Sequence, residues 1–170
     1  MFYLILGPNN SGKSAYAEQI IEILGGDRRY YIATMIPYGE EGKARVEKHL
    51  RMREHLGMIT VEDPYLEKIG EALAQAKTDG DNVEVCEADV LLEDLSNLVA
   101  NRLFEKGQES CDIILQDLLA LQKKVKNLVI VSIAGIVAEG FDEETTNYVN
   151  QLNALNHQLE NLADQVIYRE

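Results

Sequence analysis

The chain lacks the features that define specialised scaffolds. It holds only two cysteines, Cys86 and Cys111, in 170 residues. Their spacing is not that of a metal site, so they read as reduced, half-buried fillers. No apolar run approaches the ~20 residues needed to span a bilayer. No basic stretch precedes the first apolar run, which leads straight into a loop motif. No signal peptide is therefore expected, and the reading is of a cytoplasmic protein. Positive charge is scarce, with 16 Lys and Arg against 29 Asp and Glu and a formal net charge of −13. That argues against nonspecific binding to nucleic acid or to anionic membrane, since both need a basic surface. Internal repeats, low-complexity segments and clear linkers are absent too. What remains is 46% hydrophobic and 26% charged, the balance of a soluble globular protein. Its length predicts a single domain over residues 1–170.

Against this plain background one motif stands out. Phe2-Tyr3-Leu4-Ile5-Leu6 is an apolar run, and Gly7-Pro8-Asn9-Asn10-Ser11-Gly12-Lys13-Ser14 follows it directly. This is G-x-x-x-x-G-K-S between a predicted strand and a predicted helix. The glycines let successive N–H groups turn inward toward phosphate oxygens. Lys13 supplies a mobile charge for the β- and γ-phosphates, and the Ser14 hydroxyl is a ligand for Mg²⁺. The helix that follows adds the positive end of its dipole.

The rest of the chain alternates strands with helices. Ala17, Ile20, Ile21 and Leu24 form one helical face, which Gly25-Gly26 ends. Tyr30–Ala33 reads as a strand ending at Thr34. Glu40–His55 reads as a helix broken by Gly57, and Met58–Val61 as a strand halted by Asp63-Pro64. Tyr65–Ala76 is predicted helical, and Thr78–Asn82 is a turn cluster. Val90–Leu92 is a buried strand, followed by a helical region from Asp94 to Lys124 with a break near Gly107. Leu128–Val131 has the unbroken apolar character of a parallel-sheet centre. Tyr148, Val149, Leu152, Leu155, Leu159 and Leu162 stripe a last helix, and Val166–Tyr168 is a short final strand. The alternation predicts an α/β protein with a mostly parallel sheet flanked by helices. Ligands of such sheets sit at the carboxyl ends of the strands, here Gly7, Thr34, Glu62, Glu93 and Ser132.

Residues 43–53 concentrate basic groups. Arg45, His49 and Arg53 recur at i, i+4 and i+8, so they share one helical face, with Val46 and Leu50 turned toward the core. The spacing leaves two readings open. One is a solvated basic face with an incidental histidine. In the other, the flanking guanidinium charges keep His49 neutral and nucleophilic, and the same arginines clamp a polyphosphate. A neutral imidazole attacking an α-phosphorus would form a phosphoramidate. Glu93 ends a strand where P-loop proteins carry the carboxylate for Mg²⁺. Asp94 or Ser96 is then free to cap the next helix. Glu62 either bonds a ribose or base or is an exposed strand-end charge. His55 and His157 receive no role.

Taken together the motifs resemble the adenosylcobinamide kinase / adenosylcobinamide-phosphate guanylyltransferase family. The resemblance rests on Ser11-Gly12-Lys13-Ser14, Ala17-Glu18 and Tyr31-Ile32-Ala33-Thr34. It continues through Arg45-Val46 with His49 and Arg53, Thr60-Val61-Glu62-Asp63-Pro64, and Leu91-Leu92-Glu93 with Asn101 beyond. It implies a RecA-like P-loop NTPase fold, often trimeric. It implies Mg²⁺ as cofactor, GTP or ATP as substrate, and a corrinoid as acceptor. The cobinamide hydroxyl would be phosphorylated, and GMP then transferred through a guanylylated histidine. Carried over, His49 is the nucleophile and Lys13 the other catalytic residue. Gly7 to Ser14 bind phosphates, and Ser14 and Glu93 hold the metal. Thr34, Met35 and Ile36 line the nucleotide site with Leu50, Arg51, Met52 and Arg53, which Arg45, Glu62 and Glu93 complete. The chain departs from the family pattern at Pro8 and Asn10 of the loop. It also has Ile133-Ala134-Gly135-Ile136 where the family carries Asn-Glu-Val-Gly. These departures imply a retained nucleotide half and an altered corrinoid half. Two alternatives stay open: a nucleotide-binding paralogue without corrinoid turnover, and a P-loop kinase for another small metabolite.

Overall fold

Buried aliphatic runs at the strand positions fix the architecture. The computed structural model describes residues 1–75, 86–107 and 110–170, and the side chains of His49, Met52 and Cys86 lie outside that set. The elements run β1 (Phe2–Gly7), α1 (Lys13–Leu24), β2 (Arg28–Ala33), α2 (Gly39–Glu54), β3 (Ile59–Glu62), α3 (Ile69–Gln75) and β4 (Cys86–Glu93). Then come α4 (Leu95–Ala100), a π-helical turn over Asn101–Glu105, α5 (Asp112–Lys124), β5 (Val125–Ile133), α6 (Glu143–Leu162) and β6 (Gln165–Tyr168). The described strands form one sheet in the order β3-β2-β4-β5-β1-β6, with every neighbouring pair parallel.

Alternate residues of each central strand feed opposite faces. Leu4, Leu6, Val90, Leu92 and Ile130 pack with the apolar sides of α3 to α6. Ile5, Leu91, Val129 and Val131 pack with Ala17 and Ile21 of α1. Right-handed crossovers explain the split. The chain leaves β1 and β2 in one direction across the sheet and β3, β4 and β5 in the other. Neighbours β1 and β5 therefore send their helices to opposite faces, as do neighbours β2 and β4. A crevice opens at the carboxyl end of each such pair. The P-loop sits at the first and the Thr34 segment at the second.

Several predicted boundaries shift, two of them for reasons visible in the contacts. The helix expected from Tyr65 starts at Ile69 instead. The buried Asp63 carboxylate accepts the backbone N–H groups of Glu67, Lys68 and Ile69, and Leu66 takes a positive φ of 60°, so the segment is a turn first. Strand β4 begins at Cys86, four residues before the apolar run. Its Asp89 is buried, accepting from Gly26 N and from Asn127 Nδ2, and this polar pair interrupts the apolar pattern. Strand β5 likewise extends to both sides of Leu128–Val131. Ala76 and the turn cluster Thr78–Asn82 lie outside the described residues.

Candidate active site

The loop between β1 and α1 is shaped by two left-handed residues, Asn10 at φ 60° and Gly12 at φ 77°. Asn tolerates that region better than most side chains, and at Gly12 a Cβ would be strained. Gly7 is required for a different reason. A Cβ there would lie 2.4 Å from the Arg169 carbonyl oxygen and 2.8 Å from Ser11 Oγ, so the glycine lets the chain beyond β6 close against the loop. Inside the loop Ser11 Oγ donates to the Pro8 carbonyl at 2.8 Å. Lys13 is buried, and its ammonium donates to the same carbonyl and, at 3.4 Å, to Ser11 Oγ. Burial pulls the Lys13 pKa below its ordinary value, while the charges of Asp94 and Glu93 pull it back up.

The opposite wall comes from β4, two strands from β1. The Ser14 hydroxyl donates to Glu93 Oε1. The next residue turns away: Asp94 Oδ1 accepts from Asn97 N at 2.8 Å and from Ser96 Oγ at 2.6 Å, capping α4. Burial pushes the Asp94 carboxyl above its ordinary pKa, and those two hydrogen bonds hold it down in part. Thr34 is fully buried, its Oγ1 donating to Asp94 O and accepting from Asp94 N, both at 2.8 Å. Asn101 Nδ2 donates to Thr34 O at 2.7 Å and Pro64 O at 2.9 Å, tying the ends of β2 and β3 together. Thr34 and Asn101 thus set the backbone of the crevice.

Arg53, at the last turn of α2, is 4% exposed. Its Nε lies 2.9 Å from Glu18 Oε1, its Nη2 lies 3.1 Å from Glu93 Oε2, and its guanidinium rests 4.1 Å over the Tyr31 ring. Glu93 is therefore held on both oxygens, by Ser14 and by Arg53. Burial, with the Glu93 charge second, pushes the Tyr31 phenol far above its ordinary pKa.

These groups open onto a cavity of about 460 Å³. Asn9 of the loop, Met35 and Ile36 after β2, and Glu62 and Glu93 at strand ends line it. So do Arg45, Val46, Leu50 and Arg53 of α2. The expectation that Val46 and Leu50 face the core is thus corrected: they form the apolar wall of the cavity. Arg51 is exposed and Thr34 lies beneath, so neither lines it. His49 belongs to α2, one turn from both Arg45 and Arg53 along the backbone, and its side chain and that of Met52 lie outside the described residues. Sequence reasoning missed Lys68 and Asn97 as wall residues, because each follows a strand end by several loop or helix positions.

The family model of cobinamide kinase / cobinamide phosphate guanyltransferase matches residues 3–169. The chain belongs to this family. The cobinamide kinase / guanyltransferase family is one of transferases in cobalamin biosynthesis, and the P-loop, the α2 helix and the Glu93 strand end all fall within the match. Comparison with curated proteins gives no match. Among solved structures the chain is similar to the RadB recombinase, at 18% identity and a TM-score of 0.46, over 87% of this chain and 70% of that one. No described helix is long and apolar enough to cross a membrane.

Proposed function

We propose that the chain binds GTP or ATP at the P-loop and uses it for two transfers. The first moves the γ-phosphoryl group to the hydroxyl of a cobinamide-type acceptor. The second moves GMP to the resulting phosphate through His49. The observation that carries this reading is the contact of the P-loop Ser14 with Glu93, which lines the same cavity as Arg45, Val46, Leu50 and Arg53 of α2.

A hydroxyl and a carboxylate in direct contact are hard oxygen donors suited to Mg²⁺. That ion usually takes one or two protein ligands and completes its shell with phosphates and water. Ser14 and Glu93 would hold the ion, which when bound neutralises charge on the β- and γ-phosphates. Arg53 fixes the Glu93 carboxylate, and Lys13 exchanges its loop carbonyl for phosphate oxygens. In the first transfer the acceptor oxygen bonds to the γ-phosphorus, the bond to the bridging oxygen breaks, and the hydroxyl proton passes to solvent. In the second the unprotonated His49 nitrogen bonds to the α-phosphorus and diphosphate leaves. The acceptor phosphate oxygen then displaces the imidazole, and the P–N bond breaks. The step uses the unprotonated imidazole, the form with a free lone pair on the attacking nitrogen. Pockets of roughly 300–1,000 Å³ hold small ligands, so 460 Å³ suits a nucleotide. A corrinoid ring would stay at the rim and insert only its hydroxyl arm.

Incubation with cobinamide and either γ- or α-labelled GTP tests the scheme. The γ-label is expected on the acceptor, and the α-label on protein first and acceptor second. Lys13→Ala should lose both, and His49→Ala only the second. Binding without either transfer would instead identify a nucleotide-binding paralogue. Label moving to acceptors other than corrinoids would identify a kinase for another metabolite.

A further inference from the structure

If the loop holds a triphosphate, as proposed above, its ends are not interchangeable. In P-loop sites the hydroxyl and carboxylate that would hold Mg²⁺ lie toward the terminal phosphates, so the Ser14–Glu93 contact would mark the γ-end on the β4 side of the loop. The α-phosphate, ribose and base must then extend the other way, over the first turn of α1 and toward β6.

Two residues meet there. Tyr16 is half-buried in the first turn of α1, and Arg169 directly follows β6. The Arg169 guanidinium lies 5.0 Å over the Tyr16 ring. Its Nη2 stands 3.9 Å from where a Gly12 Cβ would be, at the rim of the phosphate loop. The arginine backbone is fixed, with Arg169 N donating to Leu6 O at 2.7 Å. Among the described residues its guanidinium has no carboxylate within ion-pair distance, in contrast to Arg53, which has two. A planar exposed cation, supported by a ring and set beside a phosphate loop, offers a stacking face for a purine and a charge for the adjoining phosphate.

We propose that Tyr16 and Arg169 form the base-side shelf for the nucleotide during phosphoryl transfer, so that the cavity on the γ-side receives the phosphoryl acceptor. In GMP transfer the base would occupy the cavity instead, so the two reactions use two nucleotide poses.

Calorimetry with a non-hydrolysable GTP analogue and with inorganic triphosphate, each with Mg²⁺, separates base from phosphate. Tyr16→Leu removes the ring beneath Arg169 and is expected to weaken the analogue about fivefold, as loss of a cation–π contact does, and to leave triphosphate within about twofold. Tyr16→Phe should bind like wild type. Arg169→Gln should weaken the analogue more than triphosphate. Lys13→Ala should weaken both ligands, and if it weakens neither, the P-loop reading itself fails. If Lys13→Ala weakens both while the shelf variants bind the analogue normally, the shelf is wrong and the P-loop reading stands. Photolabelling of the wild-type protein by an 8-azido analogue needs no variant. Label in the α1 or β6 peptides supports the shelf, and label confined to the Met35–Pro37 peptide overturns it.

Discussion

Arg53 joins three elements through one guanidinium: Glu18 of α1, Glu93 of β4 and Tyr31 of β2. Breaking a buried ion pair on one side leaves charge without compensation and typically costs 3–5 kcal/mol. Glu18 is a quarter exposed, which lowers the expectation for its half of the network. Arg53→Met is expected to destabilise the protein by about 2–4 kcal/mol, read from urea unfolding midpoints at constant m-value. Glu18→Gln should cost clearly less. Equal small losses in both variants would contradict the network. The i, i+4, i+8 spacing made the Arg45–His49–Arg53 row legible in the sequence, but not what Arg53 touches. Glu18 and Glu93 are distant in the chain, and only the sheet order brings them together. The P-loop was legible because phosphate chemistry dictates its residue types. The need for glycine at position 7 was only half legible, since the Arg169 carbonyl that demands it arrives from the far end of the chain. Gly7→Ala is therefore expected to cost about 1–3 kcal/mol, as overpacking does, measured by the same unfolding assay.

At the scale of elements, Asp63 decides where α3 begins. Its carboxylate takes three backbone N–H groups while 1% exposed. Asp63→Ala orphans the buried Ile69 N–H and frees the half-buried Glu67 and Lys68 donors to water, and an orphaned buried donor costs about 1–3 kcal/mol. Asp63→Asn, which keeps one acceptor oxygen, should recover part of the loss in thermal unfolding. If alanine and asparagine behave alike, the carboxylate is not the organising group. The expected helix exists, over Ile69–Gln75. Its start was misplaced because a side-chain cap competes with helix propensity over Tyr65–Lys68. Strand β4 shows the reverse case, where a buried Asp89–Asn127 pair hid the first half of a strand whose second half was plain. The bond network beneath the crevice, Thr34 with Asp94 and Asn101, was likewise out of reach, since the motif marks these residues without saying that they brace backbone.

For the whole molecule, the alternation of strands and helices gave the parallel sheet, and the crossover rule then placed the site at its carboxyl edge. The packing of α6 on α4 adds a pH dependence. Tyr148 Oη donates to Ser96 O at 3.1 Å, and burial, assisted by the charge of Asp94, pushes its phenol up to about 12. A raised pKa favours the protonated form in the folded state. The stability it contributes is complete below pH ~10, the unfolded value, and is lost as pH rises through about 12. Melting temperature should fall across that window, and Tyr148→Phe should flatten the fall while lowering stability at pH 7. An unchanged slope in the variant would assign the loss to other groups.

The central claim is that an imidazole on α2 attacks a nucleotide held by the P-loop. Intact-protein mass spectrometry after incubation with Mg²⁺ and GTP, without acceptor, tests it most directly. The account predicts a mass gain of one guanylyl group that is stable to alkali, labile to acid, and absent in both His49→Ala and Lys13→Ala. A protein that binds GTP yet never gains that mass, or gains it equally in His49→Ala, would contradict it.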